Sequence, residues 1–334
     1  MIGLGMVSGT YSQAILNSAD ITLDLVYART SDNRDAFIQK WPDLGARAAK
    51  NVDEIIASDA DFVIVTTPPN ERKEIIERFA RADKSILMEK PVERNLQTAR
   101  DLVDICAHHD VRLGIMLQHR ARPIVNQLRR HLDDLGDIHV VEVSVPWWRD
   151  QSYYDAPGRG TYERDGGGVL ISQAIHTLDL MLSLTGPVKT VSALAATSKS
   201  HHMEAEDFVS AGLRFASGAV GHLFATTSAY PGRGETINLH CAKGSVTLHA
   251  GTLQIDWRDG RTRTIGQAAT SGAGADPMAF TSDWHQWVIE DFAQSIAENR
   301  PCLVTGAEAL KVHALIDALE RSSKSGTICT VDAG

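Results

Sequence analysis

The sequence predicts an α/β protein in which an N-terminal doubly wound parallel sheet is followed by a C-terminal α+β domain with a largely antiparallel open sheet. Three observations predict it. Gly3-Leu4-Gly5-Met6-Val7-Ser8-Gly9 puts glycines where a strand turns tightly into a helix. Met88-Glu89-Lys90-Pro91-Val92 ends a later apolar strand with a lysine. Beyond residue 140 the alternation of strand and helix gives way to successive strands joined by short turns.

The glycine turn has a physical reading. Only glycine lets backbone amides come close to a pyrophosphate at a helix N-terminus, where the partial positive charge favours an anion. In the G-x-G-x-x-G pattern the third position is Ser8, with Gly9 one residue late, and a small residue there still allows close helix–sheet packing. Only Met1 and Ile2 precede Gly3, so the first strand is short, as expected of a clipped strand or of a start lying upstream. A glycine turn that binds nothing is the competing reading of this motif taken alone.

The next hundred residues favour the first reading. Apolar runs predict strands over 21–28, 61–67 and 85–88, and helical patterning covers 32–40, 52–58 and 70–82. This alternation defines a Rossmann dinucleotide-binding domain, in which ligands sit beyond the carboxyl ends of the strands. Gly5, Arg29, Thr67 and Lys90 are expected there, on four strand ends facing one crevice. The second strand ends Tyr27-Ala28-Arg29-Thr30-Ser31, without the acidic residue that would accept hydrogen bonds from an adenosine ribose. Arg29 and Thr30 suit a 2′-phosphate, so NADP is the preferred cofactor. Asp32 keeps NAD open, and Arg29 stacked on adenine or facing solvent is the plainer alternative.

Composition sets the bounds. With 334 residues, 43% of them hydrophobic, the chain buries two cores. The expected division is 1–120 for the dinucleotide-binding domain and 121–334 for a substrate and oligomerisation domain, closed by helices near 282–298 and 306–323. No apolar run is long enough for a bilayer and no signal segment opens the chain, which predicts a soluble, cytoplasmic protein without a membrane partner. A net charge of −9 argues against nucleic acid, and Arg129-Arg130-His131 reads as a solvated helix end. Cys106, Cys241, Cys302 and Cys329 lack metal-ligand spacing and read as reduced structural residues.

In the second domain, strands are expected over 140–145, 188–196, 207–215, 219–227, 236–241 and 245–249, and a loop over 266–277. Its chemical cluster is Asp165-Gly166-Gly167-Gly168, followed by a helical stretch with Ser172, His176 and Asp179. Ser172 and His176, four apart, share a helix face that Asp179 extends. A lone histidine on an apolar helix is commonly structural, but the glycine run and the lysine strand end favour a site.

These residues resemble the glucose-fructose oxidoreductase/inositol dehydrogenase (Gfo/Idh/MocA) family. The resemblance runs through nearly the whole chain: the Gly-x-Gly start, Thr67-Pro68-Pro69-Asn70, Glu89-Lys90-Pro91, Gly166-Gly167-Gly168, His176, Asp179 and the closing helices. It implies that Lys90 and His176 occupy the family's catalytic positions and that Gly3, Gly5, Thr67, Pro68, Asn70 and Glu89 line the cofactor cleft, with Met6, Val7 and Lys90 beside them. The family commonly carries an aspartate four residues before the histidine, where this chain has Ser172. The mechanism implied is hydride transfer between a nicotinamide and a sugar, sugar acid or cyclic polyol, with His176 as acid/base and Lys90 polarising the reacting oxygen. A homodimer or homotetramer built through the second domain's sheet follows from the same analogy.

Substrate contacts are expected from Gln118 and Arg122 at the domain junction, with His119 between them, and from Trp148, Arg149, Tyr154 and Arg159 ahead of the glycine run, along with Ser172 and His176. Aromatic faces stack on sugar rings and arginines bind hydroxyls or carboxylates. Asp283, Trp284 and His285 open a closing helix and reach a pocket or merely cap the helix. Two other functions fit: a cyclic dihydrodiol dehydrogenase, for which the aromatic segment also suits, and a non-catalytic dinucleotide sensor, which the serine at 172 keeps open. A metal-dependent hydrolase is disfavoured, because His108-His109 and His201-His202 are adjacent pairs that cannot present two ligands on one helix face.

Overall fold

A computed structural model describes residues 1–267, 273–274, 276 and 280–332. In chain order the elements are α1 (Ser8–Asn17), β1 (Leu25–Val26), α2 (Ser31–Lys40), β2 (Arg47–Ala48), α3 (Val52–Ile56), β3 (Phe62–Val65), α4 (Lys73–Arg81), β4 (Ser85–Glu89), α5 (Leu96–His108) and β5 (Leu113–Met116). There follow α6 (Pro123–Leu135), β6 (Ile138–Pro146), α7 (Gln151–Tyr154), α8 (Ile175–Thr185), β7 (Val188–Ala196), β8 (Phe208–Phe215), β9 (Val220–Thr226) and β10 (Thr236–Cys241). The chain closes with β11 (Gly244–His249), β12 (Thr252–Trp257), β13 (Thr262–Gly266), α9 (Asp283–Ala297), α10 (Gly306–Ser325) and β14 (Cys329–Thr330).

The chain divides into two compact units, the first comprising Met1–Glu93, Gln97–Ala121 and Thr281–Ala309, the second Arg94–Leu96, Arg122–Phe280 and Leu310–Gly334. In the first, Ile2 bridges in parallel to Tyr27 on one side and Val65 on the other. That single residue joins the β1–β2 pair to the parallel β3–β4–β5 sheet. With the Ile2 segment counted first, the strands run in the 3-2-1-4-5-6 order of a dinucleotide-binding sheet. The strand expected over 21–28 forms its ladder only at Leu25–Val26, because the segments beside it are equally short. The helix expected from residue 70 begins at Lys73, after a 3₁₀ turn at Pro69–Glu71 set by Pro68 and Pro69.

Helix α9, expected in the second domain, belongs to the first unit. Its Val288, Ile289 and Phe292 share one buried core with Tyr11, Ala14 and Ile15 of α1 and with Val26, Ile64, Leu87 and Met116 of the strands. Gly114 on β5 makes room for it, since a side chain there would strike the ring of Phe292.

The second unit is a nine-stranded sheet in the order β13-β12-β11-β10-β6-β9-β8-β7-β14. All neighbours are antiparallel except β6 and β9. Alternation is clean: Val209, Ala211, Leu213 and Phe215 of β8 face the core while Ser210, Gly212 and Arg214 are exposed. The six expected strands form, and β12, β13 and β14 extend the sheet beyond them. Gly266 closes β13, and most of the loop expected over 266–277 lies outside the described residues.

The triple glycine is where backbone meets backbone within this unit. Gly166 has φ +87° and its missing Cβ would lie 2.5 Å from the Arg94 backbone, while a Cβ on Gly168 would overlap the Glu206 carbonyl. By contrast Gly212, in β8, faces open space. Gly168→Ala is therefore expected to destabilise the protein by the upper end of ~1–3 kcal/mol or more, whereas Gly212→Ala leaves the urea midpoint nearly unchanged; equal midpoints would refute the close approach.

Candidate active site

The first unit's site lies at the switch in strand order, between the Ile2 segment and β3. Gly3 has φ +94°, and a Cβ on it would meet the Thr67 amide nitrogen at 2.8 Å, so only glycine lets these two strand ends touch. A Cβ on Gly5 would meet nothing within 4 Å. Helix α1 starts at Ser8 with no side chain capping it, and Thr67 Oγ1 is buried without a hydrogen-bond partner among the described residues. An uncapped helix start, open room beside a glycine and an orphaned hydroxyl are what a dinucleotide pyrophosphate requires, so the residues present fit the cofactor. Met6 is exposed and Val7 half-buried at the head of α1.

At the end of β1, Arg29 is exposed and pairs with Glu71 at 3.4 Å. Thr30 caps α2 through the Asn33 amide. Arg34 lies over the Tyr27 ring and donates to the Ala28 carbonyl at 2.7 Å. Asn70 is exposed and Pro68 half-buried on the adjoining turn.

Lys90 follows β4 directly and is half-buried. Beneath it lies a buried polar cluster of which sequence reasoning singled out Glu89 and His285 but missed Tyr11 and Arg72. Glu89 accepts a hydrogen bond from the Tyr11 hydroxyl at 3.1 Å and has His285 Nε2 at 3.9 Å. Burial works to raise the Glu89 carboxyl pKa, but His285, Lys90 and Arg72 outweigh it and hold it below the usual range. The Tyr11 hydroxyl goes the other way, pushed well above its ordinary value by burial and by Glu89. The Arg72 guanidinium, fully buried, donates to the carbonyls of Thr67, Glu89 and Pro91. Burial lowers its pKa to about 10, which leaves it charged at neutral pH. No periodicity marks such residues; they come from α1, the turn before α4, β4 and α9.

Gln118 and His119, both buried, stand in a 3₁₀ turn after β5. The Gln118 Oε1 atom has no partner among the described residues, an acceptor left for something else. His119 meets the Trp284 ring edge-on at 5.7 Å.

The second unit presents His176 differently. The expected regular helix begins as a π-helical segment, Leu170–Ala174, and only then continues as α8. Such segments recur at functional sites because they re-aim side chains. Glu206 anchors the start: its carboxylate receives the Gly168 amide at 3.1 Å and the Leu170 amide at 3.0 Å, and its carbonyl receives the Val169 amide at 2.8 Å. His176 is buried, Ser172 half-buried and Asp179 fully buried. Gln173 Oε1 and Thr177 Oγ1, on the same stretch, are buried without partners among the described residues.

Several expected substrate residues are engaged within the protein. Arg122 is 2% exposed and paired with Glu235 at 2.8 Å, an internal ion pair rather than an open anchor. Arg149 is buried, donating to the carbonyls of Trp148 and Gly274 and lying over the Trp147 and Tyr153 rings. Arg159 lies over Tyr153 and stands 3.7 Å from Asp165. Tyr154 hydrogen-bonds Thr227 at 2.7 Å, while Trp148 is half-buried against Tyr230. Sequence reasoning also missed the post under this segment. His201 faces Asp207 Oδ2 at 2.7 Å through Nδ1 and the Arg149 carbonyl at 2.8 Å through Nε2. Among the described residues no group of three or more His, Cys, Asp or Glu is placed to hold a metal, and no helix is long and apolar enough to cross a membrane.

Strand order, cofactor cradle and lysine strand end define a dinucleotide-dependent oxidoreductase. Residues 1–117 match the oxidoreductase family with an NAD-binding Rossmann fold, and 125–247 match the GFO/IDH/MocA C-terminal domain. The chain belongs to the Gfo/Idh/MocA oxidoreductase family. It is 26% identical to inositol 2-dehydrogenase of Rhizobium meliloti (strain 1021) over 332 residues, 96% of this chain and 95% of that one. It is 24% identical to levoglucosan dehydrogenase of Pseudarthrobacter phenanthrenivorans, covering 87% of each. Among solved structures, the WlbA dehydrogenase of Bordetella pertussis in complex with NADH and UDP-GlcNAcA superposes with a TM-score of 0.83 at 25% identity, covering 99% of this chain and 96% of that one.

Glu206 gives this site a pH signature. Burial, with the Glu320 charge adding to it, pushes the Glu206 pKa up to about 7 against the amide hydrogen bonds that favour its ionised form. A carboxyl raised in the folded state binds more protons folded than unfolded, so its contribution is full below its ordinary pKa and is lost as pH rises through about 7. Between pH 5 and 8, Glu206→Gln is expected to remove a stability loss of up to ~3 kcal/mol. Parallel pH profiles of the denaturation midpoint for wild type and variant would refute this.

Proposed function

We propose that this protein is an NAD(P)-dependent dehydrogenase or reductase of a sugar, sugar acid or cyclic polyol, with NADP preferred over NAD. The observation that carries the reading is the cradle of Gly3, Gly5 and Thr67 on the same sheet that ends in Lys90. The kinds of substrate named for the relatives support the substrate class. Exposed Arg29 at the end of β1 supports the 2′-phosphate preference, and its pairing with Glu71 tempers it.

When bound, the nicotinamide supplies an acceptor or donor of hydride. In the oxidative direction His176 would take the hydroxyl proton as the carbinol carbon becomes a carbonyl and its hydride goes to that acceptor. Lys90 stabilises the negative charge that develops on the oxygen. Gln118, Trp148 and Ser172 are the candidates for orienting substrate hydroxyls and ring faces.

Titrating the protein with NADPH and NADH by tryptophan quenching, then assaying a sugar and polyol panel, tests this reading. Tighter NADPH binding and turnover are expected, with kcat falling ~10²- to 10⁴-fold in His176→Ala or Lys90→Ala while His176→Ala keeps wild-type cofactor affinity. Near-wild-type turnover in both variants would overturn the roles; cofactor binding without any turnover would favour a sensor.

A homodimer or homotetramer in a soluble, cytoplasmic setting completes the proposal. Val140 of β6, Val220 of β9 and Leu194 of β7 lie on one sheet face by strand register, and all three are exposed. Sedimentation is expected to give a multiple of the chain mass, and a monomer at micromolar concentration would count against it.

A further inference from the structure

We infer that Arg72 is the positioning residue for Lys90: its guanidinium clamps the backbone on both sides of the lysine and ties it to the end of the neighbouring strand. The inference rests on the role proposed above for Lys90. Nη1 donates to the Glu89 carbonyl at 2.5 Å and also to the Pro91 carbonyl, the residues before and after Lys90. Nε and Nη2 donate to the Thr67 carbonyl at 2.9 and 2.8 Å. One side chain thus fixes the cofactor-side turn after β3 and the lysine turn after β4.

The Arg72 charge is held against burial and a helix end by the nearby carboxylates of Glu89 and Glu93. Arg72 immediately precedes α4, where the helix end carries partial positive charge, and it is 2% exposed. Both features disfavour a positive charge. Of the other arginines buried to the same degree, Arg122 meets a carboxylate and Arg149 donates to the carbonyls of Trp148 and Gly274, whereas the Arg72 donors go to main-chain carbonyls of the turns that carry Thr67 and Lys90. A planar fork can serve three carbonyls lying in different directions, whereas the compact ammonium of a lysine cannot reproduce that geometry. Moving residues 89–91 would break two charge-assisted hydrogen bonds at once. Misplacing a reacting group by ~1 Å costs roughly 10²-fold in rate, which is why a tie of this kind matters at a catalytic lysine.

The test uses Arg72→Lys and Arg72→Gln with two readouts. The first, needing no cofactor, is the rate at which trinitrobenzenesulfonate modifies Lys90, followed by peptide mass spectrometry with Lys189 and Lys243 as internal references. The second is kcat against cofactor affinity on whichever panel substrate the wild type turns over. Expected are faster modification of Lys90 alone, unchanged reference lysines, and kcat down ~10²-fold, with a smaller loss of cofactor affinity through the freed Thr67 turn. Wild-type modification of Lys90 in either folded variant overturns the inference, as does a uniform rise at all three lysines. Failure of both variants to fold overturns it too, since Arg72 would then be a determinant of the whole fold. If the wild type turns over nothing, the functional reading fails while the Lys90 modification rates still decide the clamp.

Discussion

Parallel strands that end side by side leave their last carbonyls unpaired, and a site assembled on those ends needs something to hold them. In the first unit that something is the Arg72 guanidinium, whose hydrogen bonds gather Thr67, Glu89 and Pro91 around one buried charge. Around it the cluster is balanced: Glu89 is kept ionised by its neighbours, and Tyr11 from α1 and His285 from α9 close over the carboxylate. The glycine-bearing helix, the lysine strand end and the late helix α9 therefore share one polar knot inside an otherwise apolar core.

The second unit keeps its buried polarity in separate places. Glu206 holds the start of the His176 helix through two amides, and burial, with the Glu320 charge adding to it, keeps its proton to near neutrality. His201 and Asp207 form a closed pair whose outer nitrogen supports the Arg149 carbonyl, and the Asp207 carboxyl is kept low by Ser198, Ser228 and His201 in spite of its burial. Arg122 and Glu235 satisfy each other. Side chains that look like ligands for substrate when read singly thus serve as internal supports, and the amides left with open acceptors, Gln173 here and Gln118 in the first unit, are less conspicuous.

Much of this was legible in the sequence. The alternation of apolar strands and amphipathic helices gave the doubly wound sheet, period-two runs gave six strands of the second sheet, and Gly3, Gly166 and Gly168 marked the close approaches that the backbone makes. Hidden were features that depend on partners distant in the chain. Strand β13, Thr-Arg-Thr-Ile-Gly, is mostly exposed and has no apolar alternation to betray it. Arg122 carries no sign in its neighbourhood that Glu235, more than a hundred residues on, will neutralise it. Arg72 sits among Asn, Glu and Lys and reads as one more solvated charge until three carbonyls surround it.

The placement of α9 has a consequence for how the chain is made. Val288, Ile289 and Phe292 fill the same core as α1 and the early strands, so the first unit is discontinuous in sequence and its contacts span nearly the whole polypeptide. A ribosome that has delivered residues 1–121 has delivered an unfinished core, with the seat of α9 still apolar and bare. That seat is filled only after Arg122–Phe280 has been synthesised, and the second unit in turn waits for Leu310–Gly334, so both units are completed only by the closing segments of the chain.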